Sequence, residues 1–126
     1  MSKNLVSQTL FRGVTSQRPS AGLIHHSDRG SQYAPLEYQG LLKQFKMKGS
    51  MSRRGNCYDN APIESFRGVL KNELIRHRRY SSRQEAIKEV TEYIEIFYNR
   101  QRRQERLGYL SPAAFEKKYF KELSAA

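Results

Sequence analysis

Cysteine, acidic residues and long apolar runs are all scarce in this 126-residue sequence. Cys57 is the only cysteine, which excludes an internal disulfide and fits a reducing compartment. It does not combine with His25, His26 and His77 in a spacing typical of zinc ligands, which argues against a zinc site. No apolar run approaches the ~20 residues that a membrane-spanning helix needs, so a membrane is not an expected partner.

The scarcity of acidic residues leaves a strongly basic chain. There are 23 lysines and arginines against 12 aspartates and glutamates, which gives a net charge of +11. Such an excess destabilises a compact chain unless a polyanion is nearby, so nucleic acid is the leading partner. The alternatives are a solvated basic surface without a ligand and a basic RNA- or ribosome-binding protein. The length and the 37% of hydrophobic residues allow one domain with a modest core.

The first half of the chain alternates helix and strand patterns. Apolar spacing and turn residues predict four elements: a weak helix over residues 5–14, a strand over 22–26, a helix over 35–45 and a strand over 47–51. The stretch "RRGNCYDN" that follows is predicted to be a loop, because it is rich in glycine, asparagine and aspartate.

The second half is predicted to be helical. A helix over residues 61–75 is expected to be capped by Asp59 or Asn60 and to tolerate Pro62 in its first turn. Ser82 and Glu85 form the sequence pattern of a capping box, which opens a helix that runs to about residue 98. A basic connection then leads to a last short helix over residues 111–120.

Two acidic residues stand where they could serve chemistry. Asp28 follows the predicted strand in "LIHHSDRGSQYAP" and is one of only two aspartates in the chain. It either caps a glycine turn or is half of a metal site. Glu64 lies at the border of the apolar stripe of its helix, where the simplest interpretation is a surface pair with Arg67.

Three stretches occur in order along the chain: "HHSDRGSQY", "MSRRGNCYDNAPIESFRGVLKNEL" and "FYNRQRRQERLGYLSPAAF". The first two resemble the catalytic core of DDE transposases of the insertion-sequence-3 type, a family related to retroviral integrases. The third is similar to the C-terminal signature of that family, Tyr-Asn-x-x-Arg-x-His before Leu-Gly-Tyr and Ser/Thr-Pro. The resemblance covers residues 22–120.

The resemblance implies an α/β chain with a partial ribonuclease-H-like fold. Most of it should be helical, with about two remaining strands, and the strand before Asp28 should lie beside the strand over residues 47–51. Residues 1–98 would form a partial integrase-type catalytic core, and residues 99–126 a basic C-terminal connection with a short helix. A two-stranded sheet with an open edge invites self-association.

The resemblance also implies a set of site residues. The catalytic triad of the family is Asp, Asp and Glu, with 35 residues between the last two, and Asp28 and Glu64 match that pair. Both would be catalytic and would bind Mg²⁺ or Mn²⁺ for in-line displacement at phosphorus. Basic neighbours are expected to bind DNA, unless they form a merely solvated face: Arg29, Arg53, Arg54, Arg67 and Lys71.

The sequence departs from the family pattern at three points. Arg67 stands where the family often has a large aromatic residue, and Gln104 replaces the His of the signature. No acidic residue precedes Asp28, so the first catalytic Asp is absent from these 126 residues. The departures leave two interpretations: a transposase fragment that is inactive alone and binds metal weakly or not at all, and a non-catalytic DNA-binding or transposition-interfering fragment.

The resemblance places the expected partners and location in a bacterial cell. Transposon ends and target DNA are the expected partners, together with further copies of this chain or a full-length transposase. The expected location is the cytoplasm, on the nucleoid when the chain is bound to DNA.

Overall fold

The computed structural model describes residues 3–126, with the backbone alone at residue 3. The chain divides into two compact units, Met1–Phe66 and Arg67–Ala126. No helix in the described range is long and apolar enough to cross a membrane. The predicted boundary after residue 98 is a different division of the chain and stays a prediction.

The first unit contains a short parallel sheet flanked by helices. Its elements are α1 (Lys3–Gln17), β1 (Ile24–Ser27), α2 (Leu36–Gln44) and β2 (Lys48–Met51). The two strands pair in parallel, in a register that runs from Ile24 opposite Lys48 to Ser27 opposite Met51. Because parallel neighbours need a crossover, α2 supplies the connection between them. The predicted class, mostly helical with two strands, is confirmed.

Proline and glycine in the sequence explain where helices and strands of the first unit begin and end. Helix α1 ends two residues before Pro19, which disfavours helical conformation in its predecessor. Gly22 then turns the chain at φ +91°, a conformation that side chains resist, and donates its N–H to the Lys46 carbonyl at 2.8 Å. This bond sets the start of β1 beside the start of β2.

The core of the first unit is small. Val6, Tyr38 and Leu42 are buried, and three half-buried residues pack against them: Leu10, Tyr33 and Met47. The sheet contributes little to this core, since all four residues of β2 are exposed. The hydrophobic stabilisation of this unit therefore depends on α1 and α2 rather than on the strands.

Helix α3 (Ala61–Glu73) begins in the first unit and is preceded by a 3₁₀ turn, Cys57–Asn60. The prediction that Asp59 or Asn60 caps this helix is wrong. The 3₁₀ turn extends the helical path upstream, and Asn56 caps it instead by accepting a hydrogen bond from the Tyr58 N–H at 3.0 Å. Asp59 and Asn60 are therefore available for contacts with other segments.

The elements of the second unit are helical, apart from an isolated antiparallel bridge between Gln104 and Leu110. After α3 come a 3₁₀ turn (Ile75–His77), α4 (Arg83–Glu92), a π-helix (Tyr93–Gln101), a 3₁₀ turn (Glu105–Leu107) and α5 (Pro112–Ala125). The helix predicted to run to about residue 98 is thus α4 followed by the π-helix. The last helix is longer than predicted and continues to Ala125.

The predicted cap of α4 is present in a shifted form. The Ser82 hydroxyl accepts a hydrogen bond from the Glu85 N–H at 3.1 Å, as a capping box requires. The Glu85 carboxylate, however, accepts from the N–H and the hydroxyl of Ser81 rather than from Ser82. These bonds lower the pKa of Glu85, with the Ser81 hydroxyl as the main cause.

Candidate catalytic site

Asp28 directly follows β1 and opens the turn that leaves the sheet. Its Oδ1 accepts a hydrogen bond from the Gly30 N–H at 2.8 Å, so the carboxylate does cap a turn. A Cβ at position 30 would lie 2.8 Å from Asp28 Oδ1 and 2.5 Å from Gln32 Nε2, so the ends of both side chains would have to move to admit one. Asp28 is exposed, and the turn uses only one of its two oxygens.

Glu64 lies in the first turn of α3 and is also exposed. The surface pair with Arg67 is absent, and the Glu64 carboxylate has no hydrogen bond or ion pair within residues 3–126. The apolar stripe beside it is only partly covered, since Ile63 is 48% exposed. The carboxylate is therefore free to take a ligand.

Ser52, which follows β2, joins the segments that carry these two carboxylates. Its N–H donates to the Ser27 carbonyl at 2.9 Å, one residue before Asp28. Its hydroxyl donates to Asn60 Oδ1 at 2.7 Å, one residue before α3 and four before Glu64. Ser52 is 3% exposed, so these bonds are shielded from water. The end of β1 and the start of α3 are thus attached to the same buried residue.

Three arginines of the first unit differ in how they are engaged. The Arg29 Nε donates to the Ser52 carbonyl at 2.9 Å, which anchors its guanidinium next to the Asp28 turn. Arg53 is held by Asp59, with Nη2–Oδ1 at 3.0 Å and Nε–Oδ2 at 3.1 Å. Arg54 is exposed and has no partner in the described part of the chain. Arg54 is therefore better placed than Arg53 to bind a phosphate.

The Arg53–Asp59 pair is the strongest electrostatic feature of this loop. The Asp59 carboxylate accepts from both the guanidinium and the backbone N–H of Arg53, and the pKa of Asp59 falls to about 2. The same pair raises the pKa of Arg53. Because the carboxylate is already engaged, Asp59 is a poor third ligand for a metal.

On α3, Arg67 and Lys71 follow Glu64 by three and seven residues, so they share its helix face. Both are exposed, and neither has a hydrogen bond or ion pair with another described residue. Their roles in DNA binding remain predictions.

The carboxylate oxygens of the candidate site are the kind of ligand that Mg²⁺ prefers, but few side chains supply them. Mg²⁺ prefers hard oxygen ligands and keeps several waters, so exposed carboxylates such as Asp28 and Glu64 suit it. Across residues 3–126, no group of three or more His, Cys, Asp and Glu side chains is arranged to hold an ion. The candidate site therefore offers at most two protein carboxylates.

A second polar cluster lies in the second unit and was not predicted from sequence. The Tyr93 hydroxyl donates to Glu73 Oε2 at 2.5 Å, and Arg102 binds the other oxygen of Glu73. The Arg102 guanidinium also lies 6.0 Å from the centre of the Tyr98 ring. Burial and the Glu73 bond raise the pKa of Tyr93 to about 12, while the pKa of Glu73 is lowered, chiefly by the Tyr93 hydroxyl. Tyr98 and Arg102 belong to the C-terminal signature, so that signature includes a structural contact.

Comparison with known proteins shows which family and which fold this chain resembles. The family described as "Integrase core domain" matches residues 64–120. Among solved structures, the fold is similar to a chain in the simian T-cell lymphotropic virus intasome in complex with PP2A regulatory subunit B56 gamma. The TM-score is 0.65 at 14% identity, over 77% of this chain and 35% of that one. The chain therefore has part of an integrase-type, ribonuclease-H-like fold.

The curated relatives that this chain matches are proteins of bacterial insertion sequences. The insertion element IS600 uncharacterized 31 kDa protein of Shigella sonnei is 61% identical over 94% of this chain. The transposase for insertion sequence element IS904 of Lactococcus lactis is 44% identical over 93% of the chain. Transposase InsF for insertion sequence IS3A of Escherichia coli is 42% identical over 94% of the chain.

The predicted resemblance to insertion-sequence-3-type transposases is therefore confirmed: this chain is 42% to 61% identical to these relatives over 93% or 94% of its length, and its residues 64–120 match the integrase core family. It spans less than half of each relative, namely 44%, 46% and 41% of their lengths.

Proposed function

We propose that this chain is part of a transposase core that cuts and joins DNA by metal-dependent phosphoryl transfer, with Asp28 and Glu64 as two of its catalytic carboxylates. One observation carries the proposal. Two exposed carboxylates, each with at least one oxygen free, project from segments that Ser52 ties together. A structural role alone does not explain why Glu64 lacks a partner among the described residues of a chain that has 23 lysines and arginines.

Asp28 and Glu64 would hold Mg²⁺ or Mn²⁺, which activates the attacking oxygen and stabilises the leaving oxygen of an in-line displacement. The turn at Gly30 fixes one oxygen of Asp28 and leaves the other without a hydrogen-bond partner among the described residues. Arg29 and Arg54 would bind the phosphates that flank the scissile bond, and the Ser52 carbonyl limits the movement of Arg29. The contribution of these residues is to position the phosphodiester and its charge.

Binding to DNA follows from charge rather than from base contacts. The net charge of +11 attracts the phosphate backbone, and Arg67 and Lys71 on α3 add exposed cations beside Glu64. We expect binding to be weak, tolerant of sequence and strongly dependent on salt. Replacing Glu64 by Gln removes a negative charge, so DNA affinity should stay unchanged or rise slightly.

Strand transfer tests the catalytic assignment. The 126-residue chain supplies two carboxylates, and we expect it to show no cleavage with Mg²⁺ or Mn²⁺. Joined to the N-terminal strands and Asp of a complete related transposase, it should cleave and join DNA. Glu64→Gln and Asp28→Asn should then abolish activity, whereas the control Glu95→Gln, which alters an exposed glutamate of the π-helix, should not. Activity that survives both site variants would contradict the proposal.

A non-catalytic role is the second candidate, because the described residues provide no third acidic ligand for a metal. In that role the chain would bind DNA or associate with a complete transposase and reduce transposition. One edge of β1 is unpaired within the described residues, which leaves a strand open to another chain. The two candidates separate when the joined protein is assayed: DNA binding without strand transfer would favour the second.

A further inference from the structure

Four side chains form a continuous line from β2, across β1, to the start of α3. The Ser50 hydroxyl lies 2.9 Å from His26 Nδ1, and the Ser52 hydroxyl lies 3.1 Å from His26 Nε2. Ser52 Oγ lies in turn 2.7 Å from Asn60 Oδ1. Both ring nitrogens of His26 are therefore within hydrogen-bond distance of a hydroxyl.

The acceptors around Ser52 indicate which way the hydrogen bonds to His26 run. The Ser52 hydroxyl has a single proton, and its acceptors are Asn60 Oδ1 at 2.7 Å and the Ser27 carbonyl at 3.2 Å. Either choice leaves Ser52 Oγ as an acceptor toward His26, so Nε2 carries the imidazole proton. Nδ1 of the neutral ring then accepts from Ser50. When Ser52 donates to Asn60 Oδ1, the nearer of its two acceptors, all donors along the line point toward Asn60.

We propose that Ser50, His26, Ser52 and Asn60 form a hydrogen-bond relay that positions the start of α3 against the end of β1. Through this relay, Ser52 and Asn60 act as positioning residues that hold Glu64 on the same side as Asp28. The functional half of the inference rests on the proposed function, because it takes Asp28 and Glu64 as the metal ligands. The relay itself is independent of that assignment.

Ser52 is the buried member of the relay, whereas His26 and Ser50 are exposed. Ser52 is 3% exposed, and a buried hydroxyl is stabilised only when its hydrogen-bonding capacity is used. Its backbone N–H and carbonyl are also engaged, by Ser27 and by Arg29. The neighbouring histidine on β1 is different: His25 contacts the Tyr38 hydroxyl at 3.1 Å, and its Nδ1 has no partner in the described structure. Of the two histidines of β1, His26 is therefore the one whose ring contacts Ser52 and, through it, Asn60 in the described structure.

The first experiment reads the His26 tautomer by nitrogen-15 NMR on the full chain. We expect the neutral ring to carry its proton on Nε2. A ring protonated on Nδ1 would make Ser52 donate to His26 Nε2, which would leave Asn60 Oδ1 without the Ser52 proton and would overturn the relay. Because a solvated neutral imidazole also favours the proton on Nε2, this measurement serves to overturn the relay, and the positive evidence for it comes from the exchange experiment.

The second experiment measures amide hydrogen exchange in the first turn of α3. Asn60→Leu removes the acceptor at similar volume, whereas Asn60→Asp retains it and serves as the matched variant. We expect Asn60→Leu to speed exchange at residues 63–66 roughly five- to tenfold, and Asn60→Asp to leave it near the wild-type rate. Ser52→Ala should resemble Asn60→Leu. Equal effects of the two Asn60 variants would contradict the relay.

The third experiment adds Mn²⁺ and follows paramagnetic broadening of the Asp28 and Glu64 amide signals. In the wild-type chain both should broaden at the same Mn²⁺ concentration. In Asn60→Leu, Asp28 should still broaden while Glu64 requires more metal, and Asn60→Asp should restore Glu64. Continued joint broadening in Asn60→Leu would refute the positioning role. If Mn²⁺ broadens neither residue in the wild type, the metal assignment of the proposed function fails, and the tautomer and exchange measurements decide the relay.

Discussion

Arg53 and Arg54 are adjacent in sequence, yet the structure predicts that only one of them binds DNA phosphate strongly. Asp59 accepts three hydrogen bonds from Arg53, two from the guanidinium and one from the backbone N–H. The pKa of Asp59, lowered to about 2, shows that this carboxylate remains charged at neutral pH. A phosphate would have to displace it. Arg54 has no such competitor within the described residues.

The expected magnitude follows from counterion release. Each arginine that neutralises a phosphate of duplex DNA adds about 0.9 to the slope of log affinity against log salt. Arg54→Ala should therefore reduce that slope by about 0.9, whereas Arg53→Ala should change it little. Between 50 mM and 200 mM salt, the affinity advantage of the wild type over Arg54→Ala should shrink by about 3.5-fold.

Fluorescence anisotropy with a labelled duplex, titrated at four or five salt concentrations, measures these slopes directly. Asp59→Asn is a third variant with an opposite expectation: it frees the Arg53 guanidinium, so the slope should steepen by up to about 0.9. Equal losses of slope for Arg53→Ala and Arg54→Ala would refute the reasoning. So would an Asp59→Asn variant with the slope of the wild type.

Three further predictions concern stability and titration. Tyr93→Phe removes a hydrogen bond to the α3 carboxylate, and because that carboxylate is partly solvated the loss should be about 1 kcal/mol in urea unfolding. The Asp59 pKa lies below its ordinary 3.8, so its pair with Arg53 stabilises the loop above that pH and is lost as pH falls toward about 2, as carboxyl NMR should show. Leu42→Ala should cost about 2 kcal/mol of unfolding free energy, near the low end for core leucines because the core is small, whereas Leu36→Ala at 91% exposure should cost almost nothing.

The alternation of elements in the first unit could be predicted because its signals are local. Glycine, proline and apolar periodicity mark both strands to within a few residues of β1 and β2. The cap of α3 could not be predicted, because "NCYDN" contains several residues with good capping propensity. The choice among them depends on non-local bonds. Arg53 forms hydrogen bonds to Asp59, Ser52 forms one to Asn60, and Asn56 caps the 3₁₀ turn.

The π-helix over Tyr93–Gln101 could not be predicted from sequence patterns either. Its apolar residues have ordinary α-helical spacing, which predicts a continuous helix. In the structure, the Arg102 N–H donates to the Phe97 carbonyl at 2.8 Å, which continues the wider i to i+5 pattern past the last π-helical residue. The π-helical register brings Arg102 into contact with Glu73, although the two residues are 29 positions apart in sequence. A pairwise contact at that separation has no local signature.

The candidate carboxylates were found by resemblance, since neither Asp28 nor Glu64 stands out by residue type alone. Their surroundings were not predicted. The sequence suggested a pair between Glu64 and Arg67, yet the structure leaves both without an ion-pair partner among the described residues. Ser52 gave no signal at all, because a serine after a strand is ordinary until its burial and its four contacting groups are seen.

The signature residues of the second unit differ from the candidate site in what surrounds them. Arg102 is bound by Glu73 and lies over Tyr98, whereas Asp28 and Glu64 face solvent with oxygens to spare. Gln104 replaces the family histidine, but the bonds that form its loop come from its backbone. Its N–H donates to the Leu110 carbonyl, and its own carbonyl accepts from two residues of the loop. Because a change of side chain leaves those backbone groups in place, Gln104 preserves the loop. Of the departures from the family pattern, we therefore expect Gln104 to matter less for metal binding than the small number of carboxylates at the candidate site.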